Sequence, residues 1–269
     1  MQVSRRAYYD WKRKPAKIIG AQTLHLYRRL KTLFIESRRS MGSRELVKNL
    51  RKEGFTIGRY KVRKLMKNMQ LKVLQRQAYR ITTHSDHHHP VAENILSRNF
   101  NPEKPNQVWS ADITYLKTGE GWLYLAIVMD LYSRRIIGWS IDKKMKQGLV
   151  IQALQMAITL RQPGKGIIHH SDQGSQYACG AYQKLLKKNG FIVSMSRKGN
   201  CWDNAVVERF FGSLKHEWLR NIYHLKRQTM RDDVRSYIRY YNGKRLHSAL
   251  SSQTPIEAEF SFYKLCGNT

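Results

Sequence analysis

Apolar residues in the first third of the chain recur at the spacing of amphipathic helices. A stripe at positions i, i+4, i+7 and i+8 predicts one helix, and two shorter stripes, opened by Gly42-Ser43 and by residues 56–58, predict two more. The apolar positions of the three stripes are Leu26, Leu30, Leu33 and Phe34; Leu46, Val47 and Leu50; and Val62, Leu65, Met66 and Met69.

The two shorter helices are joined by the turn Glu53-Gly54-Phe55-Thr56, and a glycine-containing turn between two short helices is typical of a helix-turn-helix. One buried face and one basic face is the arrangement of a recognition helix that contacts DNA. A small helical bundle with a solvated basic face is the alternative that this pattern leaves open. The cations of the second helix are Arg59, Lys61, Arg63, Lys64 and Lys67.

From Gln107 onward the helical spacing of apolar residues ends. Apolar and polar residues then alternate, or apolar residues form short runs, and both patterns predict strands. Three antiparallel strands followed by alternating helices and strands predict a mixed α/β domain. The predicted strands cover residues 108–116, 123–129, 136–141, 166–170 and 191–196. The predicted helices cover residues 146–160 and 175–189, and a further helix runs from about residue 203 to beyond Trp218.

Residues 82–106 are polar and contain prolines, which predicts a linker. Consecutive histidines at 87–89 raise the question of zinc, but no cysteine is near them and three adjacent side chains cannot all bind one ion. We therefore predict a helical DNA-binding region over residues 1–81, a linker over 82–106, an α/β core over 107–260 and a tail over 261–269.

The net charge indicates the class of partner. The 269 residues include 49 Lys and Arg against 19 Asp and Glu, a formal charge of +30, and residues 1–99 alone carry 24 against 6, a net of +18. Such an excess points to a polyanion, with nucleic acid ahead of an anionic membrane surface.

Targeting and membrane signals are missing from the sequence. The longest apolar run, 122–129, is far shorter than the roughly 20 residues that cross a bilayer, and the first twenty residues contain no signal-peptide pattern. The three cysteines are too far apart in sequence for a disulfide framework or a metal knuckle. These features predict a soluble, cytoplasmic protein without a membrane partner.

Three acidic residues stand out in so basic a chain. Asp112 lies within an apolar strand, Asp172 directly follows another strand, and Glu208 lies one turn into a helix. A buried charge costs free energy unless it is paired or bound to metal, and sites collect at the carboxyl ends of strands in α/β sheets. Together the three carboxylates could hold one or two Mg²⁺ ions, which prefer oxygen ligands and clamp the oxygens of a phosphoryl transfer.

Each of these residues also has an ordinary structural explanation. Asp112 could be an edge-strand charge, Asp172 a helix cap, and Glu208 a surface partner for Lys215. Lys215 lies seven residues after Glu208 on the same helix face, about 10 Å away, where it could contact a phosphate backbone.

Other polar and aromatic residues are expected to have structural roles. Asp130 is expected in a hairpin turn, Asp203 and Asn204 as N-caps of the Glu208 helix, and His170 as a satisfied neighbour of the acidic site. The tryptophans expected mainly in the core are Trp109, Trp122, Trp139, Trp202 and Trp218.

The acidic residues and the sequence around them resemble one known group. Asp112, Asp172 and Glu208 match the Asp-Asp-Glu pattern of retroviral integrases and many transposases, with 35 residues between the last two and a basic residue at Lys215. The neighbouring words resemble the second-frame (OrfB) transposases of the bacterial insertion-sequence-three family. These words are Asn106-Gln107-Val108-Trp109, residues 111–115, His170-Ser171-Asp172-Gln173-Gly174-Ser175-Gln176-Tyr177, Gly199-Asn200, Asp203-Asn204-Ala205, residues 208–211, His247-Ser248-Ala249-Leu250 and Thr254-Pro255.

The resemblance covers nearly the whole chain and implies a ribonuclease-H-like integrase catalytic core with Asp112, Asp172 and Glu208 as catalytic metal ligands. It implies Mg²⁺-dependent cleavage of a DNA strand at the element end and strand transfer by the freed 3′-hydroxyl, with Mn²⁺ as a substitute and two ions expected. It also implies a homo-oligomer on double-stranded DNA, in the nucleoid, and an upstream-frame DNA-binding protein or fusion segment. Two alternatives remain open: a nuclease that cuts DNA without joining it, and a DNA-binding regulator or accessory subunit without catalysis.

Overall fold

The computed structural model describes residues 4–13, 19–74, 92–197, 201–220 and 222–267. The chain divides into two compact units, Met1–Gln75 and Arg76–Thr269. The histidine-rich part of the predicted linker and the Gly199-Asn200 word lie outside the described residues. No helix in the described ranges is both long enough and apolar enough to span a bilayer.

The first unit is helical, and its core is formed by the predicted apolar stripes. Leu30, Leu46, Leu50 and Val62 are completely buried. Met69 packs against this core as a partly buried residue just beyond the last helix. The helices of this unit are α1 (Arg5–Arg13), α2 (Ala21–Glu36), α3 (Ser43–Lys52) and α4 (Arg59–Asn68).

The second unit is built on a mixed five-stranded sheet with the order β3-β2-β1-β4-β5. β1 pairs antiparallel with β2, which pairs antiparallel with β3, whereas β4 and β5 continue the sheet in parallel on the other side of β1. The strands are β1 (Val108–Thr118), β2 (Gly121–Asp130), β3 (Ile136–Asp142), β4 (Ile168–Ser171) and β5 (Ile192–Met195).

Helices cover both faces of this sheet. On one face of the sheet, an apolar cluster includes residues of the helices at 147–161 and 180–188. On the other face, a second apolar cluster includes residues of the helices at 205–213 and 227–243. The helices are α5 (Gln147–Arg161), α6 (Ser175–Ala178), α7 (Gly180–Lys188), α8 (Ala205–Ser213), α9 (Arg227–Gly243) and α10 (Pro255–Cys266).

Gly138 in β3 permits the close approach of α5 to the sheet. A Cβ at this position would collide with the carbonyl oxygen of Ala153 and with Ala157. Any larger residue would therefore push α5 away from the layer that it covers.

Several predicted elements differ from the structure. The helix expected over residues 175–189 is interrupted at Cys179, whose backbone is extended. The helix that contains Glu208 ends as α8 at Ser213 and continues only as a π-helical turn, Leu214–Trp218. Trp122 was expected in the core, but 46% of its surface is exposed. Near a strand end its indole packs edge-on against Tyr115, with ring centroids 5.2 Å apart.

The C-terminal third contains helices that the apolar pattern did not reveal. α9 is rich in tyrosine and arginine, so its buried face is less apparent as an apolar stripe. α10 begins at a capping box in which Thr254 and Glu257 exchange hydrogen bonds, and it runs across the expected boundary at residue 260. Glu259 is buried in this helix, accepts a hydrogen bond from Arg135 at 2.5 Å and forms an ion pair with Arg161 at 2.5 Å, and these contacts attach the helix to the core.

Candidate active site

Asp112 and Asp172 occupy corresponding positions at neighbouring strands. Asp112 lies in β1, and Asp172 is the residue after β4. These strands pair in parallel with Ser110 opposite His170, so continuing the register by two residues places Asp172 beside Asp112. Asp172 Oδ1 accepts a hydrogen bond from the backbone N–H of Gly174 at 2.9 Å, which fixes the carboxylate in the turn.

Glu208 in α8 adds a third carboxylate to this region. The pKa of Asp112 is raised well above its usual range, first by burial and then by the charge of Asp172, with a further contribution from Glu208. The backbone N–H of Ile113 donates to Asp112 Oδ1 at 2.7 Å and, with the charge of Lys215, opposes this rise. Partial burial also raises the pKa of Glu208. The fold thus brings the three acidic residues into one electrostatic environment.

The chemistry of this donor set fits a hard divalent cation. Carboxylate oxygens are the ligands such ions prefer, and a cation would offset the repulsion that raises the pKa of Asp112. Within the described ranges, no three histidine, cysteine or acidic side chains converge closely enough to form a ready-made ligand cluster. Asp112, Asp172 and Glu208 therefore act on one another through their charges without converging on one point.

Lys215 lies in the π-helical turn that follows α8. Its Nζ is 4.8 Å from the ring centroid of Tyr115, and its charge acts on Asp112. Burial lowers the pKa of Lys215, and the charge of Asp112 opposes that change. The same turn is anchored by Glu217, which accepts two hydrogen bonds from Arg245 at 2.7 and 2.8 Å. Lys215 is thus a partly buried cation at the edge of the acidic site.

The N-cap prediction is confirmed for the position of Asn204 and is wrong for Asp203. Asn204 occupies the N-cap position, but its side chain makes no capping hydrogen bond. Asp203 is completely buried and accepts hydrogen bonds from Asn94, Arg98 and Arg197. Burial alone would raise the pKa of Asp203, but the two arginines outweigh it and lower the pKa. The only sequence feature that marked Asp203 and Asn204 was their position as a polar pair directly before an apolar helix.

Asp130 and His170 each have polar partners in the core, although the buried Nε2 of His170 has no hydrogen-bond partner among the described residues. Asp130 is buried at the end of β2 and accepts hydrogen bonds from the backbone N–H groups of Ser133 and Asn106, consistent with the expected turn. His170 Nδ1 is 2.9 Å from Ser194 Oγ, and burial lowers its pKa to about 4. His170 is therefore a neutral core residue near neutral pH.

The predicted DNA-contact residues of the first unit lie on α4, and their side chains are exposed. Val62, Leu65 and Met66 form the opposite, buried face of that helix. The exposed face also presents Tyr60, with 82% of its surface accessible. The cations on it are Arg59, Lys61, Arg63, Lys64 and Lys67.

Comparison with known proteins identifies both units. An integrase core domain model matches residues 102–201, a second integrase core domain model matches 189–255, and an HTH-like domain model matches 22–79. A simian T-cell lymphotropic virus intasome, solved in complex with a PP2A regulatory subunit, contains a chain of similar fold. The TM-score is 0.52 at 16% identity, over 81% of this chain and 70% of that one.

Curated sequences match over almost the whole length. An uncharacterized 31 kDa protein of insertion element IS600 from Shigella sonnei is 38% identical, over 98% of this chain and 97% of that protein. Transposase InsF for insertion sequence IS3A from Escherichia coli K12 is 37% identical, over 96% of this chain and 91% of InsF. With an HTH-like region, an integrase core and this extent of identity, the chain belongs to the insertion-sequence transposase family that includes InsF of IS3.

Proposed function

We propose that this chain is the catalytic subunit of a DNA transposase, with Asp112, Asp172 and Glu208 as its catalytic carboxylates. Water attacks a phosphodiester at the end of a DNA element and its 3′-oxygen leaves as a free 3′-hydroxyl. That hydroxyl then attacks a second phosphodiester, forming a new P–O bond while the 3′-oxygen of the second phosphodiester leaves. The observation that carries the proposal is the parallel register of β1 and β4, which sets Asp172 beside the buried Asp112, where the charge of Glu208 also acts. Full-length similarity to InsF supports the reaction class.

Divalent metal is the cofactor that this donor set would take, and we infer Mg²⁺, with Mn²⁺ as a substitute and two ions in the working site. Asp112, Asp172 and Glu208 would hold them. When bound, such ions stabilise the negative charge that develops on the phosphodiester oxygens.

The protein's own residues mainly hold the reactants in position. Each step is an in-line displacement at phosphorus, first by water and then by a sugar hydroxyl, so one site serves both. Lys215, whose charge acts on Asp112, would pair with a phosphate oxygen of the bound strand. No covalent enzyme intermediate is required, and no serine or tyrosine is assigned as a nucleophile.

The exposed cations of α4 would contact the phosphate backbone or base edges of duplex DNA. We infer that the chain acts as a homo-oligomer on DNA, together with an upstream-frame segment, in the bacterial cytoplasm at the nucleoid. These inferences rest on the basic charge and on the family.

A strand-transfer assay with two DNA ends tests the proposal directly. Joined product that requires a divalent ion supports a transposase. Nicks without joining would indicate a nuclease, and binding without cleavage would indicate a regulator, so either outcome would overturn the proposal.

A further inference from the structure

Asn204 connects the start of α8 to β1 through both atoms of its amide. Ser110 Oγ donates to Asn204 Oδ1 at 2.7 Å, and Asn204 Nδ2 donates to the carbonyl oxygen of Ala111 at 3.3 Å. Asn204 is only 5% exposed, so both hydrogen bonds are shielded from water. A side chain that both donates and accepts is needed for this link.

This link lies between two of the acidic residues. Ser110 and Asp112 are two positions apart in β1 and point to the same face of the sheet. Glu208 lies four residues after Asn204, one helical turn along the same side of α8. The amide therefore joins the strand that carries Asp112 to the start of the helix that carries Glu208. Its contact on the strand, Ser110, is two residues from Asp112, and Asn204 itself is one helical turn from Glu208.

Asp203 holds the other side of the same turn. Its buried carboxylate accepts hydrogen bonds from Asn94 at 2.9 Å, Arg98 at 2.8 Å and Arg197 at 3.2 Å. The turn that contains Asp203 and Asn204 is thus attached to residues 94–98 and to the end of β5 as well as to β1. This attachment restricts the directions in which the amide of Asn204 can point.

We propose that Asn204 is a positioning residue that holds Glu208 at its working separation from Asp112. The inference rests on the proposed function of these carboxylates. Small displacements of groups that position reactants reduce rates by up to about a hundredfold. Loss of the link is therefore expected to slow the reaction.

Asn242 provides a matched control. It is a helical asparagine of α9 that joins the helix to β3, accepting from the N–H of Ile136 and donating to its carbonyl oxygen, both at 2.9 Å. Asn204→Ala and Asn242→Ala each remove two hydrogen bonds between a helix and a strand. Only the first pair lies beside the carboxylates.

The experiment compares the two variants with the parent protein in strand transfer across a MgCl₂ series. We expect Asn204→Ala to reduce the maximal rate about a hundredfold and to raise the Mg²⁺ concentration that gives half-maximal rate. Asn242→Ala should leave that concentration unchanged even where its melting temperature falls. In metal-free protein, hydrogen exchange of the amides at 205–208 should accelerate in Asn204→Ala alone.

Ser110→Ala keeps the test decisive if Asn204→Ala fails to fold, because it removes one hydroxyl from the same link. A raised Mg²⁺ requirement in Ser110→Ala supports the inference, and an unchanged one overturns it. Equal rate losses and unchanged Mg²⁺ requirements in Asn204→Ala and Asn242→Ala would also overturn it. An inactive parent, or an active Asp112→Asn variant, would instead overturn the proposed function.

Discussion

Asp172 lies beside Asp112 because β4 pairs in parallel with β1, with His170 opposite Ser110. The two carboxylates are 60 positions apart in sequence, yet the strand register makes them neighbours. The charge of Asp172, after burial, raises the pKa of Asp112. Burial of Asp112, together with the charge of Asp172, is the basis of the free-energy cost of ionising this carboxyl group.

That cost predicts a pH-dependent stability of the metal-free protein. The folded-state pKa of Asp112 is raised, whereas the unfolded chain releases this proton near pH 3.9, so the free energy of unfolding falls as pH rises between the two pKa values. Asp112→Asn removes this loss. We expect the variant to be more stable than the parent at pH 7, with the difference shrinking towards zero below about pH 4.

Urea unfolding in EDTA across this pH range measures the effect. Asp142→Asn, at the end of β3, is the control, since its carboxylate lies outside the acidic group. A parent-to-variant difference that stays constant with pH would show that Asp112 does not titrate abnormally.

A second prediction concerns Lys215. Lys215 lies beside Asp112 and Tyr115, and we proposed that it pairs with a phosphate of bound DNA; on that proposal Lys215→Ala should reduce the salt slope of binding by about one unit. Lys187→Ala is the control, because α7 covers the opposite face of the sheet. Identical slopes for the Lys215 variant and the parent would assign Lys215 a purely structural role.

The basic face of α4 can be tested by charge removal. Replacing Arg63, Lys64 and Lys67 together with alanine should weaken DNA binding and reduce the salt slope by roughly two to three units. The control removes the same charge from α3, at Arg44, Lys48 and Lys52. Equal losses in both triple variants would show that α4 has no special contact with DNA and would support the solvated-face alternative.

The sequence predicted those elements whose pattern of apolar residues is local, and it did not predict contacts between residues far apart in the chain. The periodicity of the sequence predicted the helix that contains Leu30 and the strand that contains Asp112. In the structure both elements have nearly the predicted bounds. Cys179 interrupts a helix through a local extended conformation that no apolar pattern marks. The hydrogen bonds of Asn204 connect residues 93 and 94 positions apart, so only the tertiary structure reveals them.

A further prediction concerns specificity for DNA ends. The net charge of +18 in residues 1–99 favours binding to any duplex, and phosphate contacts do not specify sequence. We expect the 269 residues alone to show a small preference for the terminal repeat, and fusion to an upstream zipper-bearing segment to raise it. Competition at fixed salt between repeat and random duplex measures this; a preference near a thousandfold by the chain alone would refute the need for that segment.

The most direct test of the catalytic assignment is strand transfer by Asp112→Asn, Asp172→Asn and Glu208→Gln, each measured with Mg²⁺ and beside Asp142→Asn. Each substitution keeps the size of the side chain and removes one negative charge from the acidic group. We predict that all three abolish cleavage and joining while DNA affinity and the activity of Asp142→Asn remain close to those of the parent. Joined product above a few per cent of the parent level from any of the three would remove that residue from the site and contradict the account.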